Sequence, residues 1–125
     1  MFGFFRKTEP TADPVLHAMG SESELKAAFE RCANDPVLLF KHSRTCGTSF
    51  FARKEVQQLS EADDPRVYEI VVQDARSLSN EIAARFGIRH ESPQAILIRN
   101  GKAVWNTSHG RITSTSVRNA VRESA

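Results

Sequence analysis

Nothing in this sequence approaches the run of about twenty apolar residues that a membrane-spanning helix requires. Its amino end, Met1-Phe2-Gly3-Phe4-Phe5-Arg6-Lys7, puts apolar residues ahead of basic ones, the reverse of a secretory signal. Residues 1–12 are expected to be an N-terminal extension, with no integral membrane association. Cysteine is scarce: Cys32 and Cys46 are too few for a disulfide-dense extracellular scaffold, though enough for one bridge. They fall in different expected elements. With the scattered His17, His42, His90 and His109 they form no structural-zinc spacing, so no metal is expected, and a reducing cytoplasmic compartment is. Charge of one sign is lacking too. The 17 basic and 15 acidic residues leave a net charge of +2 and are well mixed, without the basic stripe that a nucleic-acid partner requires. Repeats and low-complexity linkers are absent, so residues 13–125 are expected to form one domain. No serine-histidine-acid triad has independent support.

What is present is enough apolar material for a core, 40% of residues against 26% charged, in an alternating order of elements. A first strand is expected over 13–19. Ser21 followed by Glu24 is a capping-box pattern, and Leu25, Ala28, Phe29 and Cys32 repeat at helical spacing behind it. Asn34-Asp35-Pro36 stops that helix. Residues 36–41 then read as a buried strand, followed by a helix carrying Ala52, Val56 and Leu59, with Phe51 on the same side, that runs to Asp63-Asp64-Pro65. A strand over 66–72 and a helix over 79–86, ended by Gly87, complete a second crossover. Residues 94–99 read as a strand, Asn100-Gly101 as a hairpin turn, 102–106 as its return, and 114–123 as a last helix with Val117 and Val121 inward. Parallel crossovers with a terminal hairpin fit an α/β, thioredoxin-like fold, a mixed central sheet with helices on both faces, among other α/β arrangements.

Cys46 follows a buried strand and opens a helix. There the free backbone N–H groups and the helix dipole favour a thiolate, and His42 and Arg44 are candidates for added positive potential. The alternative is a small buried residue at a tight turn. In Cys46-Gly47-Thr48-Ser49 a hydroxyl stands where a dithiol exchanger has its second cysteine. Such a site can attack a disulfide but needs another thiol to finish; Ser49 also reads as an ordinary helix cap. Gly47 leaves the sulfur uncrowded, and Thr48 offers a polar edge. Ser92-Pro93 leads into the hairpin, either through a cis bond that turns the chain toward Cys46 or through an ordinary trans turn. If cis, Ser92 can expose its backbone to a thiol-bearing peptide. Cys32 reads as a packed structural thiol, with resolution of an oxidised Cys46 as the second reading. Trp105 and His109 border a surface near the hairpin, or are core cover and a polar loop residue.

The segment from Lys41 to Ser49, with Val71 to Arg76, Ser79-Asn80, His90 to Gln94 and Trp105 to His109, resembles the YtxJ-type monothiol bacilliredoxin family over about residues 21–121. The resemblance implies a thioredoxin-like fold and an oxidoreductase that removes bacillithiol from protein mixed disulfides. Cys46 would be the attacking thiol and Pro93 a substrate-facing cis-proline. Thr45, Gly47, Thr48 and Ser49 would shape the thiol pocket, while Ser92 and Pro93 position the leaving protein. Bacillithiol would be the thiol co-substrate, with no tightly bound cofactor, and bacillithiolated proteins and low-molecular-weight thiols the partners. One departure stands out: family members commonly carry proline and isoleucine after the cysteine, where this chain has Gly47 and Thr48. That makes the segment also similar to the site of monothiol glutaredoxins, whose implied function is carrying an iron–sulfur cluster. A noncatalytic thioredoxin-fold binding module is the remaining alternative.

Overall fold

A computed structural model describes residues 15–125; the N-terminal extension expected over 1–12, and the first two residues of the strand expected from 13, lie outside them. The chain runs β1 (Leu16–Ala18), α1 (Glu22–Arg31), β2 (Val37–His42), α2 (Gly47–Val56), β3 (Arg66–Val71), α3 (Arg76–Phe86), β4 (Gln94–Arg99), β5 (Lys102–Ser108), a 3-10 turn at His109–Arg111, and α4 (Ser114–Glu123). The five strands form one sheet in the order β1-β3-β2-β4-β5. β1, β3 and β2 are parallel, and β4 and β5 are antiparallel. This is the expected mixed sheet. The two crossovers require parallel partners, and the two-residue turn requires an antiparallel one. Asn100 and Gly101 take φ of 54° and 77°, the left-handed pair that such a hairpin needs.

β2 is central and alternates between two cores. Leu38 and Phe40 face the layer of α2 and α4, where Ala52, Val56, Val117 and Ala120 are buried. Val37 and Leu39 face α1 and α3, against Leu25, Ala28, Leu78 and Ile82. Both faces of β2 are closed, which is why it reads as a continuous apolar run.

α1 starts at its Ser21 cap, whose hydroxyl accepts from the Glu24 N–H at 3.2 Å. The Glu24 carboxylate reaches the Gly20 N–H at 2.9 Å, one residue further back than in a standard capping box. Gly87 ends α3 at φ 64°, as its position predicts.

Three expectations need correction. The second helix ends at Val56, well short of Asp63. Gln58 and Leu59 donate to Glu55 and Val56 carbonyls at 3.1 Å, tightening the last turn to three-residue closure. Asp64 then captures the Ser60 N–H at 2.7 Å and is held by Arg118 of α4. Tertiary contacts override the helical pattern there. Phe51 is 69% exposed rather than inward, because the buried stripe of α2 is Ser49, Ala52 and Val56. α3 begins at Arg76, three residues before the expected Ser79, and buries Leu78, Ser79 and Ile82.

Candidate functional site

The parallel strands point their carboxyl ends to one edge of the sheet, and Cys46 lies there. β2 ends at His42, three residues carry the chain over the edge, and Cys46 becomes the N-cap of α2 with extended backbone at φ −110° and ψ 121°. At that position the first N–H groups of the helix have no internal partner. The Cys46 thiol is pulled below its ordinary pKa. The Ser49 backbone N–H is the strongest cause, partial burial of the sulfur opposes it, and the Thr48 N–H and the Ser49 and Thr48 hydroxyls add to the lowering. These are hydrogen bonds to the charged form, which favour the thiolate.

Ser49 is fully buried. Its Oγ accepts the Ser43 N–H at 3.2 Å, leaving its own proton to donate toward the sulfur. One side chain therefore fixes the turn and stabilises the anion. Ser49→Ala should raise the thiol pKa toward its ordinary value, read by the pH dependence of alkylation. Because the Ser43 N–H is left buried and unpartnered, it should also cost about 1–2 kcal/mol of stability in a urea titration.

Gly47 is the first residue of α2, and a Cβ built there meets nothing within 4 Å. Neither space nor a positive φ demands glycine. The first helical position favours proline, and the extended backbone of Cys46 is what a residue preceding proline adopts. Gly47→Pro should stabilise the fold by about 0.5–1 kcal/mol by restricting the unfolded chain, visible as a higher denaturation midpoint. Thr48 and Ser49, not Gly47, supply the N–H groups that act on the sulfur, so the alkylation profile should keep its lowered inflexion.

His42 and Arg44 occupy other roles than support of the thiol. The Arg44 guanidinium makes a bidentate pair with Asp74 at 2.6 and 2.9 Å. His42 is held below its ordinary pKa by burial, with Glu69 pulling it up and Arg53 down. Neither is among the causes of the Cys46 shift. Sequence reasoning also missed Gln73. Its amide donates to Ser43 Oγ at 2.9 Å, and its carbonyl oxygen accepts the Arg44 N–H at 3.2 Å, latching the loop before Cys46 onto the end of β3. Thr45, exposed, joins that latch through Ser43 Oγ at 3.2 Å.

The Ser92–Pro93 bond is cis. Pro93 is buried directly before Gln94, which lies opposite Lys41 in the ladder, so the proline stands at the same sheet edge as the loop to Cys46. Below it is a cluster that no motif signalled. Lys41, with no exposed surface, donates to the Ser79 carbonyl at 3.0 Å and lies 3.2 Å from His90 Nδ1, which Ser79 Oγ also approaches to 3.1 Å. Burial lowers the Lys41 pKa to about 8. Strand parity was the available clue, since Lys41 shares the inward face of Val37 and Leu39.

Cys32 sits at the opposite end of β2. It caps the carboxyl end of α1 and lines a cleft of about 600 Å³ with Pro36, Pro65, Arg66 and Arg99. The six residues of β2 alone span about 20 Å, whereas a disulfide needs Cα atoms within about 7 Å. This geometry does not bring the two thiols together. Among the described residues no group of three or more histidine, cysteine or acidic side chains is arranged to hold a metal ion, and no helix is long and apolar enough to cross a membrane.

Residues 17–117 match the family model described as monothiol bacilliredoxin BrxC. The chain belongs to the monothiol bacilliredoxin family. It is also similar, at 35% identity over 85% of its length and 93% of the other chain, to a solved structure described as a candidate oxidoreductase with a thioredoxin fold, with a TM-score of 0.78. Thioredoxins of Schistosoma mansoni (18% identity, 90% of this chain and 98% of that one, TM-score 0.72) and, as a mutant, Halobacterium salinarum (20%, 92% and 95%, 0.71) share the fold. This bacilliredoxin is a thiol–disulfide oxidoreductase with a thioredoxin-like fold.

Proposed function

We propose that this bacilliredoxin removes bacillithiol from protein mixed disulfides in a reducing cytoplasm, using Cys46 as its single working thiol. The observation that carries the reading is the pairing of a lowered Cys46 pKa with Ser49 at the position of a second cysteine. The thiolate is available, and no neighbouring thiol competes for the intermediate.

In the first step Cys46 thiolate attacks the bacillithiol-side sulfur. The old S–S bond breaks, a Cys46–bacillithiol disulfide forms, and the client leaves as a thiolate that takes a proton from water. In the second, the thiolate of another low-molecular-weight thiol attacks the bacillithiol sulfur, giving a small-molecule disulfide and restoring Cys46. In this reading Thr45, Gly47, Thr48 and Ser49 shape the small-thiol pocket, and the backbone of Ser92 before Pro93 pairs with an extended client segment; the Thr48 and Ser49 hydrogen bonds to the sulfur support it. The separation of Cys32 from Cys46 along β2 supports an external resolving thiol.

The test is turnover of a bacillithiolated client with intact-mass analysis. Wild type should release the client thiol and, when trapped, carry one bacillithiol on Cys46; Cys32→Ser should turn over at the wild-type rate. Failure to form the adduct would overturn the reading, and loss of turnover in Cys32→Ser with the adduct retained would return the resolving role to that cysteine.

A further inference from the structure

A second concavity lies at the same end of the molecule as Cys46. It is a recess of about 410 Å³ formed by residues 106–111 and Glu91, within the size range of small-ligand sites. Its two walls are tied together. The His109 N–H donates to the Pro93 carbonyl at 3.0 Å, and His109 Nε2 meets Glu91 Oε1 at 2.9 Å. The 3-10 turn that forms one wall packs against α2, the helix that Cys46 caps. His109 holds φ at 56°, an uncommon conformation for a side-chain-bearing residue and one that concentrates at functional sites.

The recess is lined by polar side chains that have no partner among the described residues. Asn106, Thr107, Ser108 and Arg111 line it, while the hydroxyls of Ser43, Ser49, Ser79 and Thr113 elsewhere are all engaged. Among the described residues the Arg111 guanidinium pairs with no carboxylate. Two hydroxyls, an amide and a free guanidinium, beside a carboxylate, suit a small molecule bearing hydroxyl, amine and carboxylate groups. They do not suit an apolar peptide.

We propose that this recess binds the sugar-acid body of bacillithiol, with Arg111 taking a carboxylate, Thr107 and Ser108 the sugar hydroxyls, and Glu91 the amine. The proposal rests on the reading that bacillithiol is the small thiol handled at Cys46. It separates the two halves of the mixed disulfide: the small thiol is held beside β5 and the 3-10 turn, and the client lies along Ser92. Thiol selectivity would then reside in residues 91 and 106–111, outside the Cys46-Gly47-Thr48-Ser49 segment.

The experiment is titration of the unreactive S-methyl bacillithiol into full-length Cys46→Ser protein, followed by backbone amide NMR. The largest shifts should fall on residues 106–111 and Glu91, Arg111→Ala should weaken binding about tenfold, and S-methylcysteine should produce no comparable shifts. Shifts confined elsewhere, binding indifferent to Arg111→Ala, or equal binding of S-methylcysteine would overturn the site. These readouts involve no turnover. A client assay in which wild type fails would instead overturn the enzymatic reading and leave a bacillithiol-binding recess standing.

Discussion

Cys46→Ser is expected to abolish turnover of a bacillithiolated client, lowering the rate more than about a thousandfold to the uncatalysed background. A hydroxyl is not ionised near neutral pH and forms no disulfide, so the covalent route closes altogether. The fold should be unaffected, because the hydrogen bonds at that residue are made by its backbone, from the Cys46 N–H to the Ser43 carbonyl and from the Phe50 N–H to the Cys46 carbonyl. The wild-type rate should carry the signature of the thiolate. It rises with pH through the Cys46 pKa and levels off, with the inflexion below the ordinary thiol value of about 8.5. An inflexion at or above that value would show that the Ser49 and Thr48 hydrogen bonds do not act on the sulfur. Residual turnover by the serine variant would mean that another group is the nucleophile.

Local sequence carried much of the fold. The Asn100-Gly101 turn, the Gly87 terminus and the Ser21 cap are each specified by one or two residues whose backbone or side-chain preferences are narrow, and each is where its residues predict. The end of α2 was illegible, because Asp64 and Arg118 decide it from 54 residues apart. Phe51 illustrates a different difficulty. A large apolar side chain near the expected stripe reads as core, yet a helix of ten residues has one buried line, and Ser49 with Ala52 occupies it.

At the site, the type of residue was informative and the direction of its side chain was not. Cys46 at the start of a helix, and a hydroxyl three residues on, follow from adjacency in the chain. Arg44 is equally adjacent, but its long side chain reaches Asp74 on the next strand's loop, which no local pattern encodes. Gln73, Asp74 and Lys41 belong to segments that resemble the bacilliredoxin family, while their roles come from contacts across the sheet edge. The same holds for the recess at residues 106–111. Its residues are consecutive, but its other wall, Glu91, and its closeness to α2 exist only after folding.

Lys41→Met is expected to stabilise the protein at pH 7. A lysine with no exposed surface, whose hydrogen-bond partners are a carbonyl and an imidazole, lacks among the described residues the carboxylate that ordinarily compensates a buried charge. Its pKa falls from 10.5 to about 8. Between those two pH values the unfolded chain binds more protons than the folded one, so stability must rise with pH across that window. Below it the full penalty is present, about 3–3.5 kcal/mol for a shift of this size. Methionine fills a similar volume without the charge, and Ser79 Oγ remains to serve His90 Nδ1 at 3.1 Å. Urea unfolding of the two proteins should therefore show the variant ahead by about 1–3 kcal/mol at pH 7, with the gap narrowing as pH climbs from 8 toward 10.5. A gap that stays constant with pH would mean that the lysine keeps its ordinary pKa in the folded state. A destabilised variant would mean that its hydrogen bonds to Ser79 and His90, which join the end of β2 to the loop carrying Pro93, outweigh the cost of burying its charge.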